Sequence, residues 1–217
     1  MKSIKIVEPQ KWTEFIFQEA QYPIPVECQG GVVIDCGSNV GDFELRHGHR
    51  FEKYVCFDIL DENIRLLHDN LEGLNLNYTV EKRACADKPD EPVPVYAHQN
   101  PKGELNYFGN SGNAGTVLSV NSDNSGWLKD NKIDEAPSIT IEEITKNHSS
   151  IKLLKCDIEG GEYSFLLNKD LSIFEYIAIE IHFEEEQRKS LVDFICKTHD
   201  LIHNATHVHI FKLRLKK

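Results

Sequence analysis

The sequence predicts an α/β fold built on a mostly parallel sheet, and three observations carry that prediction. Short apolar runs recur, "GVVIDCG" (31–37), "KYVCFD" (53–58), "IKLLKCD" (151–157) and "EYIAIEIHF" (175–183). Runs with no polar alternation are what strands need when both faces of a parallel sheet are covered. Segments with helical spacing separate them, and the joins are short, which gives βαβ units. The first three runs also stop on an acid, Asp35, Asp58 and Asp157, each at a strand's carboxyl end.

Each element follows in order. Trp12, Phe15, Ile16 and Glu19 suggest a short N-terminal helix, which "YPIPVE" (22–27) breaks. After the first strand, "DFELRH" (42–47) begins a short helix. Asp61 is placed to cap a helix carrying Ile64, Leu67 and Leu71 on one side, and Gly73 to close it. "YTVEKRACAD" (78–87) reads as a third strand and "VPVYA" (93–97) as another. The stretch 98–126 is rich in Asn, Gly and Ser, as a lid or an insertion would be. Order resumes at "SITIEEI" (138–144). Near the C-terminus, 185–199 reads as a helix with Leu191, Phe194 and Ile195 inward, and "ATHVHIFKLRL" (205–215) as a terminal hairpin strand. No repeat or linker divides the chain, so one domain over 1–217 is expected, with 1–29 as an N-terminal substrate segment.

Composition narrows the function. Against 24 Lys and Arg stand 35 Asp and Glu, a formal charge of -11, which disfavours a nucleic-acid partner. The N-terminus has no apolar signal core and no run reaches membrane-span length, so a soluble, cytoplasmic protein without membrane insertion is expected. The six cysteines form no Cys-x-x-Cys pair and read as small buried hydrophobes. His207 and His209 read as residues of a solvent-facing edge.

The first acid is followed by a turn, "DCGSNVG" (35–41), with glycines at 37 and 41. A dinucleotide site calls for Gly-x-Gly-x-x-Gly there, and this spacing departs from it. Small residues let the backbone approach a ligand and aim amides at it. Asp35 is then placed to meet a cationic tail, and Asp58, 23 residues on, to accept from ribose hydroxyls. Together they point to S-adenosylmethionine. On this reading Gly37→Val removes cofactor binding and leaves the fold.

The blocks "VIDCGSNVG", "CFDILDENIRLL", "ACADK" and, most specifically, "LLKCDIEGGEYSFLL" followed by "IEIH" resemble the FkbM methyltransferases over about 32–182. The resemblance implies a Rossmann-like class I methyltransferase fold: a seven-stranded, mostly parallel sheet, helices on both faces, and a C-terminal antiparallel strand. It implies O-methylation, often of sugars or other hydroxyl-bearing metabolites. It places Asp35, Gly37, Ser38, Asn39, Gly41, Asp58 and Ile59 around S-adenosylmethionine, with Ala86 and Asp87 beside the adenine. Three positions depart: Asp58-Ile59 for a common Glu-Pro, Ser38 for Ala, and Gly160-Gly161 for Gly-Ala.

A sugar hydroxyl is a poor nucleophile near neutrality, so a base or a metal ion is needed. Asp157 and Glu159 follow one strand, and Glu180 and His182 share a face at the end of the next. If the strands are neighbours, the four meet. Asp157, Glu180 and His182 then suit Mg²⁺ or Mn²⁺, hard ions that take oxygen with an imidazole. Without metal, His182 is the expected base, oriented by Asp157 or Glu180. Asp157, His182 and Glu159 are the expected catalytic residues. Glu162 reads as an acid at a helix start and Lys155 as a neutralising charge. The expectation is an O-methyltransferase for a carbohydrate hydroxyl. The alternatives are a non-sugar acceptor, or an inactive relative kept as a partner domain.

Overall fold

The computed structural model describes residues 22–89, 91–96, 115–116, 132–182, 185–205 and 207–214. The expected N-terminal helix and nearly all of the 98–126 stretch lie outside the described residues.

Seven strands form the main sheet: β1 (Val32–Cys36), β2 (Lys53–Asp58), β3 (Tyr78–Lys82), β8 (Ile151–Cys156), β9 (Phe174–Glu180), β10 (His199–Asn204) and β11 (Val208–Leu213). Their order is β10-β11-β9-β8-β1-β2-β3. β1 pairs in parallel with β2 and with β8, and β8 in parallel with β9, whereas β11 runs antiparallel between β9 and β10. This is the mostly parallel sheet with an antiparallel C-terminal strand that the sequence predicts. Strand order reverses between β1 and β8, so the crevice at their carboxyl ends is where a ligand is expected.

Alternate residues face two cores. Val33, Leu153, Ala178 and Ile210 pack with Phe43 of α1 (Asp42–His47) and with Leu67 and Leu71 of α2 (Asp61–Leu71). Ile34, Leu154, Ile177 and Phe211 face α3 (Ile141–Thr145), α4 (Glu162–Leu166) and α5 (Glu185–Ile195) through Ile141, Ile144, Phe165, Leu166, Leu191 and Ile195. Helices therefore cover both faces. Each large side chain so buried contributes about 1.5–3 kcal/mol.

The second, smaller sheet has the order β4-β7-β5-β6, from β4 (Ala84–Cys85), β5 (Pro92–Tyr96), β6 (Gly115–Thr116) and β7 (Lys132–Ile139). The expected single strand over 78–87 is thus two strands in two sheets. The Arg83 amide donates back to Glu81 O and to Asp58 O, which turns the chain, and the Arg83 guanidinium donates to Ser138 O of β7.

Two local expectations are corrected. Asp61 is the first helical residue rather than the cap. Leu60 holds the cap position, and its amide is bound by Asp58 Oδ1 at 2.9 Å. Phe194, partly buried, packs against the same core as Leu191 and Ile195, as expected. His209 does not face solvent, because β11 lies between two strands and leaves it 4 % exposed. The cysteines are all free and five of them are buried. Among the described residues no helix is long and apolar enough to cross a membrane.

Candidate active site

The turn after β1 is fastened to its surroundings at almost every polar group. The amides of Gly37 and Ser38 both donate to Phe57 O, at 2.9 and 3.1 Å, and the Gly41 amide donates to Ser38 O. Asn39 takes a left-handed backbone (φ 48°), and its amide donates to Asp58 Oδ2 at 2.9 Å. The amides expected to face a ligand are therefore engaged inside the protein. Gly37 has φ 79°, and a Cβ there would sit 1.8 Å from the Asp157 carbonyl oxygen. Its glycine is required by the β1–β8 junction, so the expected Gly37→Val that spares the fold is corrected: any side chain collides with backbone. Gly41, also at φ 79°, would press a Cβ to 3.0 Å from Leu67 Cγ.

Asp35 is fully buried. The cation that meets it is Lys155, whose Nζ lies 3.0 Å from Asp35 Oδ1. The expected direct contact with a cofactor's ammonium is corrected on this ground, since Asp35 has no surface open to a ligand. Beneath it, burial first and then the Asp35 charge push the Glu44 carboxyl well up, and Glu44 Oε1 accepts from Cys56 Sγ at 3.3 Å. Ser38 is likewise buried, its Oγ against Phe57 O.

The corner at the end of β2 is slightly less enclosed than Asp35, with Asp58 and Asn63 at 7 and 8 % exposed. Asp58 accepts from the amides of Leu60 and Asn39 and from Asn63 Nδ2. Burial raises its carboxyl, those donors hold it down, and the balance is about 6. Asn63 Oδ1 is buried with no partner. A corner that offers acceptors and lacks donors suits a ligand with hydroxyls. Ile59 is partly exposed, Ala86 is buried with its amide on Ile139 O, and Asp87 is exposed.

At the ends of β8 and β9 the geometry is different. β8 stops at Cys156, yet Glu159, held at φ 55°, still comes beside His182. His182 Nε2 lies 3.9 Å from Asp157 Oδ1, 3.7 Å from Glu159 Oε2 and 3.6 Å from Glu180 Oε1. These separations are too wide for hydrogen bonds. Single ligand atoms of Asp157, Glu180 and His182 all fall within 4.8 Å of one another, as a shared cation would require. The side chains keep 18, 20 and 26 % of their surface open. His182 Nδ1 lies 3.0 Å from Glu162 Oε1. Glu162 is fully buried, and its carboxylate also accepts from the amides of Ile158 and Gly160. Glu162 thus fixes the ring so that Nε2 faces the acids, the arrangement that supports a metal-ligating histidine.

Burial alone would lower His182, but the carboxylates around it, Glu162 foremost, lift it to about 9. Without a metal ion these carboxylates favour the protonated ring, which disfavours the expected metal-free role as a base; a cation held at Nε2 would displace that proton. Burial pushes Glu159 up to about 7, with His182 opposing and Asp157 adding to the rise.

Tyr22 also belongs to this cluster, although nothing in its local pattern assigns it there. Its hydroxyl donates to Asp157 Oδ2 at 3.0 Å, and its ring lies 5.8 Å from Lys155 Nζ. Only a hydroxyl-bearing aromatic inside "YPIPVE" hinted at it, and local pattern cannot join residues 135 positions apart.

The sequence profile of the methyltransferase FkbM domain matches residues 35–206. The chain belongs to the FkbM methyltransferase family. This FkbM chain resembles an FkbM methyltransferase from Methylobacillus flagellatus KT at 14 % identity and TM-score 0.49, with 84 % of this chain and 43 % of that one covered. It thus spans less than half of that protein's length. An rRNA methylase from Streptococcus thermophilus gives 12 % identity and TM-score 0.48, covering 87 % and 92 % of the two chains. TrmK of M. capricolum, in complex with S-adenosylhomocysteine, gives 9 % and 0.44, covering 85 % and 62 %. These are distant likenesses, and the strand order above is the stronger ground for the fold. No curated protein matched in sequence.

Proposed function

We propose that this FkbM chain is an S-adenosylmethionine-dependent O-methyltransferase acting on a carbohydrate hydroxyl, assisted by Mg²⁺ or Mn²⁺. One observation carries the proposal: Asp157, Glu180 and His182 converge beside the crevice where strand order reverses, with Glu162 fixing the imidazole. The carbohydrate acceptor rests on the family resemblance, which favours hydroxyl-bearing metabolites.

S-adenosylmethionine, when bound, supplies an electrophilic methyl group. The β1 turn shapes its seat, and Asp58 with Asn63 accepts from its ribose hydroxyls. Ile59, Ala86 and Asp87 border the adenine. A divalent cation, when bound by Asp157, Glu180 and His182 Nε2, supplies Lewis acidity toward a hydroxyl. The chain's task is then positioning, which contributes about 7–11 kcal/mol to such reactions in favourable cases. Glu159, beside Nε2 and partly open, is the group placed to receive the hydroxyl's proton.

Calorimetric titration with S-adenosylhomocysteine, in EDTA and again in Mn²⁺, tests cofactor and metal together. Methyl transfer from labelled S-adenosylmethionine is then followed across sugars, nucleotide sugars and non-sugar alcohols. Binding with metal-dependent transfer to sugars is expected. Transfer only to other alcohols removes the carbohydrate clause, and absent binding leaves an inactive partner domain.

A further inference from the structure

A buried lysine next to the cofactor turn has no evident reason to be charged. Lys155 is 4 % exposed in the middle of the sheet, directly beside Asp35 in the β1–β8 register. Burying an ammonium and a carboxylate costs several kcal/mol per ion, and an apolar pair of similar volume is often as stable. Stability alone therefore does not explain the pair.

Its geometry does. The Nζ reaches past Asp35 and donates to Gly37 O at 2.5 Å. The same Nζ lies 3.0 Å from Asp35 Oδ1, so one ammonium serves both groups. The Gly37 amide is held by Phe57 O from β2. The backbone at Gly37 is thus gripped from both neighbouring strands, by a backbone acceptor on one side and by the lysine on the other. Gly37 is the residue with no side chain to fix its own direction, and its φ of 79° is a conformation the surroundings must impose. Tyr22 covers the ammonium from the open side with its ring.

We infer that Lys155 is a positioning residue for the cofactor: Asp35 neutralises it, and its bond to the Gly37 carbonyl sets the turn on which the cofactor rests. The inference rests on the cofactor reading above. It assigns the buried charge pair to shape rather than to ligand contact.

The test separates affinity from stability. Lys155→Met alone strands the Asp35 charge and lowers the melting temperature. The double variant Asp35→Leu with Lys155→Met removes both charges and restores most of it. S-adenosylhomocysteine is the calorimetric probe for all proteins. If Lys155 positions the turn, the double variant melts near the wild type yet binds about tenfold or more weakly, the size of effect seen when supporting contacts are lost. If affinity returns together with stability, Lys155 is only a structural counter-ion and the inference falls. Should the double variant not fold, Lys155→Arg decides: it keeps a cation opposite Asp35 but replaces the compact ammonium by a planar fork. Weaker binding by a folded Lys155→Arg supports the inference, and unchanged affinity overturns it. Failure of the wild type to bind the probe would instead strike the cofactor reading itself.

Discussion

The two halves of the site solve opposite problems. At the ends of β1 and β2 the backbone is held from within the protein: the amides of Gly37, Ser38 and Asn39 are bonded, Lys155 stands beside Asp35, and Asp58 accepts from three donors, while Asp35 Oδ2 and Asn63 Oδ1 are buried without a hydrogen-bond partner. At the ends of β8 and β9 the charged atoms stand 3.6–3.9 Å apart, with His182 Nε2 facing three carboxylates and within hydrogen-bond distance of none. The first region is a turn whose backbone the protein holds by itself, with Asn63 Oδ1 left without a donor. The second gathers carboxylates around one imidazole, and under the proposed function a divalent cation would take the place of the Nε2 proton. Under the proposed function the held turn would seat the cofactor and the gathered carboxylates would serve the acceptor.

The largest effect should come from breaking the held turn. Gly37→Ala puts a Cβ against the Asp157 carbonyl at a left-handed backbone, so stability should fall by about 3 kcal/mol in urea denaturation. A wild-type midpoint would mean the junction can open, and the contrast would lose its rigid member.

Next is the charge cluster. Glu180→Gln should weaken Mn²⁺ binding, followed by paramagnetic resonance, about 100-fold while S-adenosylhomocysteine affinity holds, because the ligand is lost and the held turn is untouched. Equal loss of both affinities would merge the two regions into one.

A smaller effect follows from pH. Asp58 titrates near 6 in the folded protein, raised chiefly by burial, and only its carboxylate is a full acceptor for ribose hydroxyls. S-adenosylhomocysteine affinity should therefore be flat above that pH and fall about tenfold per unit below it. Calorimetry at pH 7, 6 and 5 gives the slope. A flat profile would remove Asp58 from the ribose.

The smallest is a control on both. Thr140 caps α3 with a reciprocal bond to Glu143, and its side chain is in neither group of site residues. Thr140→Ala should lower stability by about 1 kcal/mol and leave both binding constants unchanged. A shift in either constant would show that loss of stability alone perturbs the site.

What the sequence determined by itself was the frame. Unbroken apolar runs mark strands buried on both faces, and each run's terminal acid marks the carboxyl edge. Those spacings bring Asp157 and Glu180 to neighbouring strand ends, whereas Glu159 comes beside His182 through the turn after β8, which strand alternation does not foresee. The resemblance added the family. Tertiary structure alone decided what each group does there. Whether Asp35 faces a ligand depends on Lys155, which lies 120 positions on and reaches it only because β8 pairs with β1. Whether His182 is a base depends on carboxylates from separate segments, whose fields add through a partly dry interior. Why Gly37 is glycine depends on the carbonyl of Asp157 across the sheet. Local pattern reports which side of a strand a residue takes. Charge state and close approach are properties of what stands opposite, and that is set only when the chain has folded.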